Sequence, residues 1–115
     1  MSTPSEVVQR LVDSAAVKNV EGVVHCFAQD AVIFQNGVST LASGRSEISK
    51  FYQRMFLAQP DAQIEVVNRF EIGIVVVDQE RVEGFQVDGD ATILDAVFVY
   101  QVQDGFIDAM FWFTP

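Results

Sequence analysis

The stretch Thr92-Ile93-Leu94-Asp95-Ala96-Val97-Phe98-Val99-Tyr100-Gln101-Val102 is apolar on both of its alternating faces. Leu94, Ala96, Phe98 and Tyr100 share one face of a strand, and Ile93, Val97 and Val99 share the other. The final segment repeats the pattern, with Met110 and Trp112 set against Ile107, Ala109, Phe111 and Phe113. A sheet covered by helices on one side needs only one apolar face. The second calls for a cover of its own, most simply another copy of the chain. A homodimer through the convex face of the sheet is therefore expected.

Turn signals bracket these strands: Gln103-Asp104-Gly105 between them and Asp88-Gly89-Asp90 before the first. Upstream, Ile64, Val66, Phe70, Ile72, Ile74 and Val76 alternate on one face, with Asn68 as the polar exception. This predicts a long strand bulged at Gly73, then a hairpin turn at Asp78-Gln79 and a strand from Glu80 to Val87. Toward the N-terminus the period becomes helical. Thr3-Pro4-Ser5-Glu6 is a capping box with proline at the first helical position, and Val7, Val8, Leu11, Val12, Ala15 and Ala16 follow at helical spacing to near Lys18. Asn19 caps a short second helix whose apolar face holds Val20, Val23, Val24, Phe27 and Ala28. A short strand, Ala31 to Gln35, is broken by Asn36-Gly37, and small residues form a loop to Ser43. The third helix starts near Gly44, shows Ile48, Phe51, Tyr52, Met55 and Phe56 on one side, and closes before Pro60. Three helices packed on a mainly antiparallel sheet make one α+β domain spanning residues 1–115.

Seven basic and sixteen acidic residues give a net charge of −9. That field repels phosphate backbones and anionic lipid, so neither nucleic acid nor membrane is an expected partner. Cys26 is the only cysteine and His25 the only histidine, which excludes an intrachain disulfide and thiolate clusters and argues against a zinc site. No metal and no cofactor is expected. No apolar run approaches the ~20 residues that span a bilayer, and the start of the chain lacks signal-peptide character. The expected location is cytoplasmic.

Three segments carry a family resemblance: Phe27-Ala28-Gln29-Asp30-Ala31-Val32, Gly44-Arg45-Ser46-Glu47-Ile48 through Phe51-Tyr52, and Leu94-Asp95-Ala96-Val97 to Asp104-Gly105-Phe106-Ile107. In this order and spacing the chain resembles the nuclear transport factor 2-like superfamily, especially its SnoaL-like and ketosteroid isomerase branches. The resemblance implies a cystatin-like cone, in which a curved sheet wraps a long helix around a conical cavity. It also implies where proton-handling groups would stand. The isomerase base falls at Gln35, the tyrosine donor of the first helix at Leu11, and the protonated aspartate beside it at Phe98. Only the supporting tyrosine of the third helix is retained, as Tyr52. An amide, an alkyl group and a phenyl ring cannot move a proton near neutral pH, so no ketosteroid isomerase activity is expected.

The expected function is binding of a small apolar or aromatic molecule by Leu11, Gln35, Tyr52, Asn68, Phe98, Tyr100, Met110 and Trp112. Phe98, Trp112, Met110 and Leu11 supply apolar surface, and Gln35, Tyr52, Asn68 and Tyr100 supply polar groups. Each polar group has a plainer reading, as an amide or hydroxyl satisfied locally. Alternatives are a SnoaL-like isomerase, dehydratase or cyclase with another acid–base set, or a structural dimerisation module. For the enzyme, Asp108 or Glu80 would be the base and Tyr100 or Tyr52 the donor. Asp108 is read as lying at a solvated strand end, and Glu80 as exposed beside its hairpin. Asp95 is placed on the dimer face, His25 on the surface, Cys26 as a structural thiol and Asp30 in a turn.

Overall fold

In the computed structural model, which describes residues 2–115, three helices pack on one face of a six-stranded sheet. The helices are α1 (Pro4–Ala16), α2 (Val20–Val24) and α3 (Gly44–Ala58). The strands are β1 (Phe27–Gln35), β2 (Ser39–Ser43), β3 (Gln63–Ile72), β4 (Val75–Val87), β5 (Asp90–Gln103) and β6 (Phe106–Phe113). Their order across the sheet is β2-β1-β6-β5-β4-β3; β1 and β6 run parallel and every other pair is antiparallel. The capping box closes as its residues dictate: the Thr3 hydroxyl accepts from the Glu6 amide, and the Glu6 carboxylate accepts from the Thr3 amide. A further free amide at this helix start, that of Ser5, donates to Glu71 of β3 and ties α1 to the sheet.

The core lies between the helices and the inner sheet face. Val8, Leu11 and Val12 of α1, Ile48 and Tyr52 of α3, and Phe98, Tyr100 and Met110 of the sheet are buried in one cluster. Phe27, expected on the second helix, is instead the first residue of β1, paired with Ile107, and is fully buried. Ala28 and Asp30 lie on the same strand, and Asp30 is exposed there rather than held in a turn. The expected loop before Ser43 contains β2. Asn36 and Gly37 adopt left-handed φ values of 51° and 76°, which turn the chain back so that Ser39 pairs with Gln35. Serine and threonine hid this strand from a hydrophobic pattern.

Two irregularities in β3 and β4 differ from the sequence reading, and both bear on the site. The hairpin between these strands turns at Gly73-Ile74, not at Asp78-Gln79. Gly73 has φ 57°, a conformation suited to the first central position of a two-residue loop, and Ile72 pairs with Val75 across it. The apolar residues running through the turn concealed it. The bulge lies at Val67 rather than Gly73: Val66 pairs with Glu80 and Asn68 with Gln79, leaving Val67 unopposed. Alternation therefore changes face in the middle of β3.

Candidate functional site: a cavity with a buried acid

The helices and the inner sheet face enclose a cavity of about 270 Å³. This is near the small end of the range for small-molecule sites. Leu11 comes to its wall from α1, Gln35 from β1, Tyr52 from α3, Phe98 and Tyr100 from β5, and Met110 and Trp112 from β6. The register explains the gathering: Gln35 pairs with Trp112, Trp112 with Phe98, and Met110 with Tyr100, and cross-strand partners point to the same side.

Asn68 is not in this wall. It is exposed and pairs with Gln79, on the outer face. The bulge at Val67 is the reason, since one extra residue sends every later side chain of the strand to the opposite side. Arg69 takes the inner position that alternation had given to its neighbour. Phe70 and Ile72, expected inside, are 53% and 71% exposed.

Glu80 corrects the reading most. With the turn at Gly73-Ile74, β4 is one long strand, and Val76, Asp78, Glu80 and Val82 all face inward and are buried. Glu80 is 3% exposed and lines the cavity. Its Oε2 accepts a hydrogen bond from the Tyr100 hydroxyl at 3.3 Å. Behind it, Asp78 is fully buried and clamped by Arg69, whose Nε and Nη2 donate to the two carboxylate oxygens at 2.6 and 2.9 Å. Arg69 Nη1 continues the chain to Gln9 of α1 at 2.7 Å.

Burial is the main cause that raises the Glu80 carboxyl, to about 9; a hydrogen bond with Asp78 and the charge of Asp78 add to it. The Tyr100 hydroxyl and the Arg69 charge pull the other way and do not prevail. At neutral pH Glu80 is thus a neutral carboxylic acid that can donate a proton or a hydrogen bond. Gln35, Leu11 and Phe98 stand in this wall, and Glu80, expected to be exposed, adds a carboxyl to it. Gln35, where the resemblance implies the isomerase base, lines the same cavity and brings only an amide. Burial also raises the Tyr52 and Tyr100 hydroxyls, so both remain donors.

A second polar feature lies on the wall formed by α3 and β6. The Tyr52 hydroxyl donates to Met110 Sδ at 3.7 Å, and Trp112 Nε1–H donates to the same sulfur at 3.2 Å. At the rim, the Gln59 side chain makes two bonds with the backbone of Gln86, and Lys18 Nζ donates to the Ala62 carbonyl while lying over the Phe56 ring.

The remaining candidates lie elsewhere. Asp108 is the unopposed residue of a bulge in β6, between the Ala109–Gln101 and Ile107–Val102 pairs. It does not line the cavity; the residue is half-buried, and its Oδ1 is buried with no hydrogen-bond partner among the described residues. Asp95 faces outward and pairs with Arg81 at 2.9 Å. His25 is exposed, and Cys26 is buried with its thiol on the Gly22 carbonyl at 3.4 Å. No group of three or more His, Cys, Asp or Glu side chains able to hold a metal ion occurs among the described residues. No helix among them is long and apolar enough to cross a membrane.

Residues 8–110 match the family model of the SnoaL-like domain. The chain belongs to this SnoaL-like family. With it comes membership of the nuclear transport factor 2-like superfamily, and solved structures share the fold over nearly the whole length. A cystatin-fold protein from Novosphingobium aromaticivorans is 17% identical, with 97% of this chain and 98% of that one covered and a TM-score of 0.89. TerC, co-crystallised with polyporic acid, is 18% identical over 99% of this chain and 92% of its own, with a TM-score of 0.86. A protein of ketosteroid isomerase-like fold from Catenulispora acidiphila, in complex with trimethylamine, is 14% identical, with coverage of 96% and 85% and a TM-score of 0.82. No curated protein matches this SnoaL-like chain.

Proposed function

We propose that this SnoaL-like protein binds a small apolar or aromatic molecule in its cavity and does not isomerise ketosteroids. The observation that carries this reading is an enclosed apolar wall whose one carboxyl side chain, Glu80, is held in its neutral form. Isomerisation through a dienolate needs an ionised base beside the substrate carbon, and the lining side chains supply none. That the fold neighbour TerC is co-crystallised with polyporic acid supports an aromatic ligand class. Trp112, the sole tryptophan, lines the cavity and reports on its occupancy. Saturation with a naphthalene-sized hydrocarbon should change Trp112 fluorescence and add about 2.7 kcal/mol of stability at a hundredfold excess over Kd. If a panel of such compounds changes neither, the binding reading fails; turnover of a Δ5-3-ketosteroid would defeat its second half.

One observation favours a second reading, an isomerase, dehydratase or cyclase with Glu80 as general acid and Tyr100 or Tyr52 as partner donor. It is the neutral carboxyl 3.3 Å from a tyrosine hydroxyl inside the cavity. Glu80→Gln separates the two readings, because an amide keeps the hydrogen bonds and cannot give up a proton. A binder carrying it retains its ligand, whereas an enzyme loses turnover.

We further propose that a second copy of the chain covers the outer sheet face in the cytoplasm. Phe34 stacks on Phe111 there at 5.1 Å, and Val97 and Phe113 are about 40% exposed beside them. An apolar patch that continues across β1, β6 and β5 suits an isologous contact.

A further inference from the structure

Two hydrogen-bond donors in the cavity wall are turned onto one thioether sulfur. Tyr52 comes from α3 and Trp112 from β6, and both meet Met110 Sδ, at 3.7 and 3.2 Å. Sulfur of this kind accepts weakly, while buried tyrosine and tryptophan donors usually find oxygen. Water offers little relief at Tyr52 and Met110, each 2% exposed, while Trp112 is half-buried. Nor do the neighbours. The Trp112 ring is held between the edges of Phe51 and Phe98, both at 5.3 Å, and Tyr52 is flanked by Phe27, Phe51 and Phe56. These rings fix the direction of both donors and supply no conventional acceptor. All three members of the group line the cavity.

We propose that Tyr52 Oη–H and Trp112 Nε1–H are a paired donor site for one carbonyl oxygen of the cavity ligand, an aryl ketone or quinone, and that Met110 Sδ takes their hydrogen bonds when the ligand is absent. The inference rests on the cavity being a ligand site. A carbonyl oxygen has two lone pairs and can accept from both donors at once. A hydroxyl would bring a proton of its own, which the Trp112 indole, a donor only, cannot accept. A carboxylate would enter an apolar wall whose one cation, Lys18, is already bonded to the Ala62 carbonyl at the rim, inside a chain of net charge −9. The unbranched methionine can swing aside at little cost, so the oxygen replaces a weak acceptor with a strong one. Aromatic walls around the pair suit an aryl group attached to that carbonyl.

The test uses two planar probes of equal shape, 2-acetylnaphthalene and 2-isopropenylnaphthalene, and the single indole N–H signal in a ¹⁵N–¹H correlation spectrum. The ketone should bind about tenfold more tightly than the alkene and move the indole proton downfield, which the alkene does not. Tyr52→Phe should cut the ketone preference by about three- to tenfold. Met110→Leu, which keeps the volume and removes the competing acceptor, should raise it. Equal affinity for the two probes with no downfield indole shift overturns the paired-donor assignment and leaves the ligand site standing. A ketone preference lost in Glu80→Gln but kept in Tyr52→Phe places the oxygen at the acid instead and overturns it as well. Binding of neither probe removes the ligand-site reading, and this inference with it.

Discussion

On its inner face β4 carries Asp78 and Glu80, fully or almost fully buried; on its outer face the same strand carries Val75 and Val77, beside the exposed Phe70 and Ile72 of β3. Between the buried Val76 and Val82, this departs from the usual half-buried strand, which turns its apolar residues inward throughout. The two faces teach different things. Polarity inside is tolerated because each group has a partner: Arg69 holds Asp78 by two hydrogen bonds, and Tyr100 donates to Glu80. The apolar outside has no such internal solution.

The largest expected effect comes from breaking the inner chain at its cation. Arg69→Ala leaves the buried Asp78 carboxylate without a counter-charge and should cost about 3–5 kcal/mol in urea denaturation. Replacing both partners with apolar residues, Arg69→Met with Asp78→Leu, should cost clearly less, since no orphaned charge remains. A small loss in the single variant would mean that something other than Arg69 supports the inner polarity.

Next comes pH. The folded chain holds the Glu80 carboxyl up to about 9, against an ordinary value of 4.5. Between those limits the folded state keeps a proton that the unfolded state has released. Stability from this group is therefore fully present below about pH 4.5 and is lost as pH rises toward 9, by up to about 1.4 kcal/mol per unit. Glu80→Gln should abolish that decline. Parallel pH profiles of wild type and variant would show that the inner acid is not proton-bearing.

The smallest effect on folding belongs to the outer face. Val97→Lys should halve the mass seen by light scattering at micromolar concentration while leaving the protomer's own stability within about 0.5 kcal/mol. A monomeric wild type would remove the second copy from the comparison and leave the apolar face without a cover.

Much of this could be read from residues alone. The helical spacing of Val7 to Ala15, the Thr3 box and the two-sided apolarity of β5 and β6 each reported their local structure. Leu11, Phe98, Met110 and Trp112 reached the cavity wall because no irregularity separates Phe98 and Tyr100, or Met110 and Trp112, from their pattern. Where the reading failed, a bulge or turn intervened. Counting by twos passed through Val67 and misplaced Asn68; the same count passed through Asp108. The turn at Gly73 lies inside an unbroken apolar run, so the pattern sets Glu80 at a strand start beside a hairpin rather than in the middle of a strand. A glycine within such a run was the available signal, and reading it as a reversal sets Asp78 and Glu80 on the same side as Val76 and Val82.

The rim of the cavity has one further property. Gly84, at φ 71°, sits so close beneath the Asp61 carbonyl that a Cβ there would collide with backbone, and Gln59 and Gln86 stitch the same two segments together a step away. Side-chain rotations can reshape most pocket mouths; here one lip is main chain lying against main chain. Its gauge is set by covalent geometry, so a wider guest is admitted on that side only if the connection between α3 and β3 shifts as a whole.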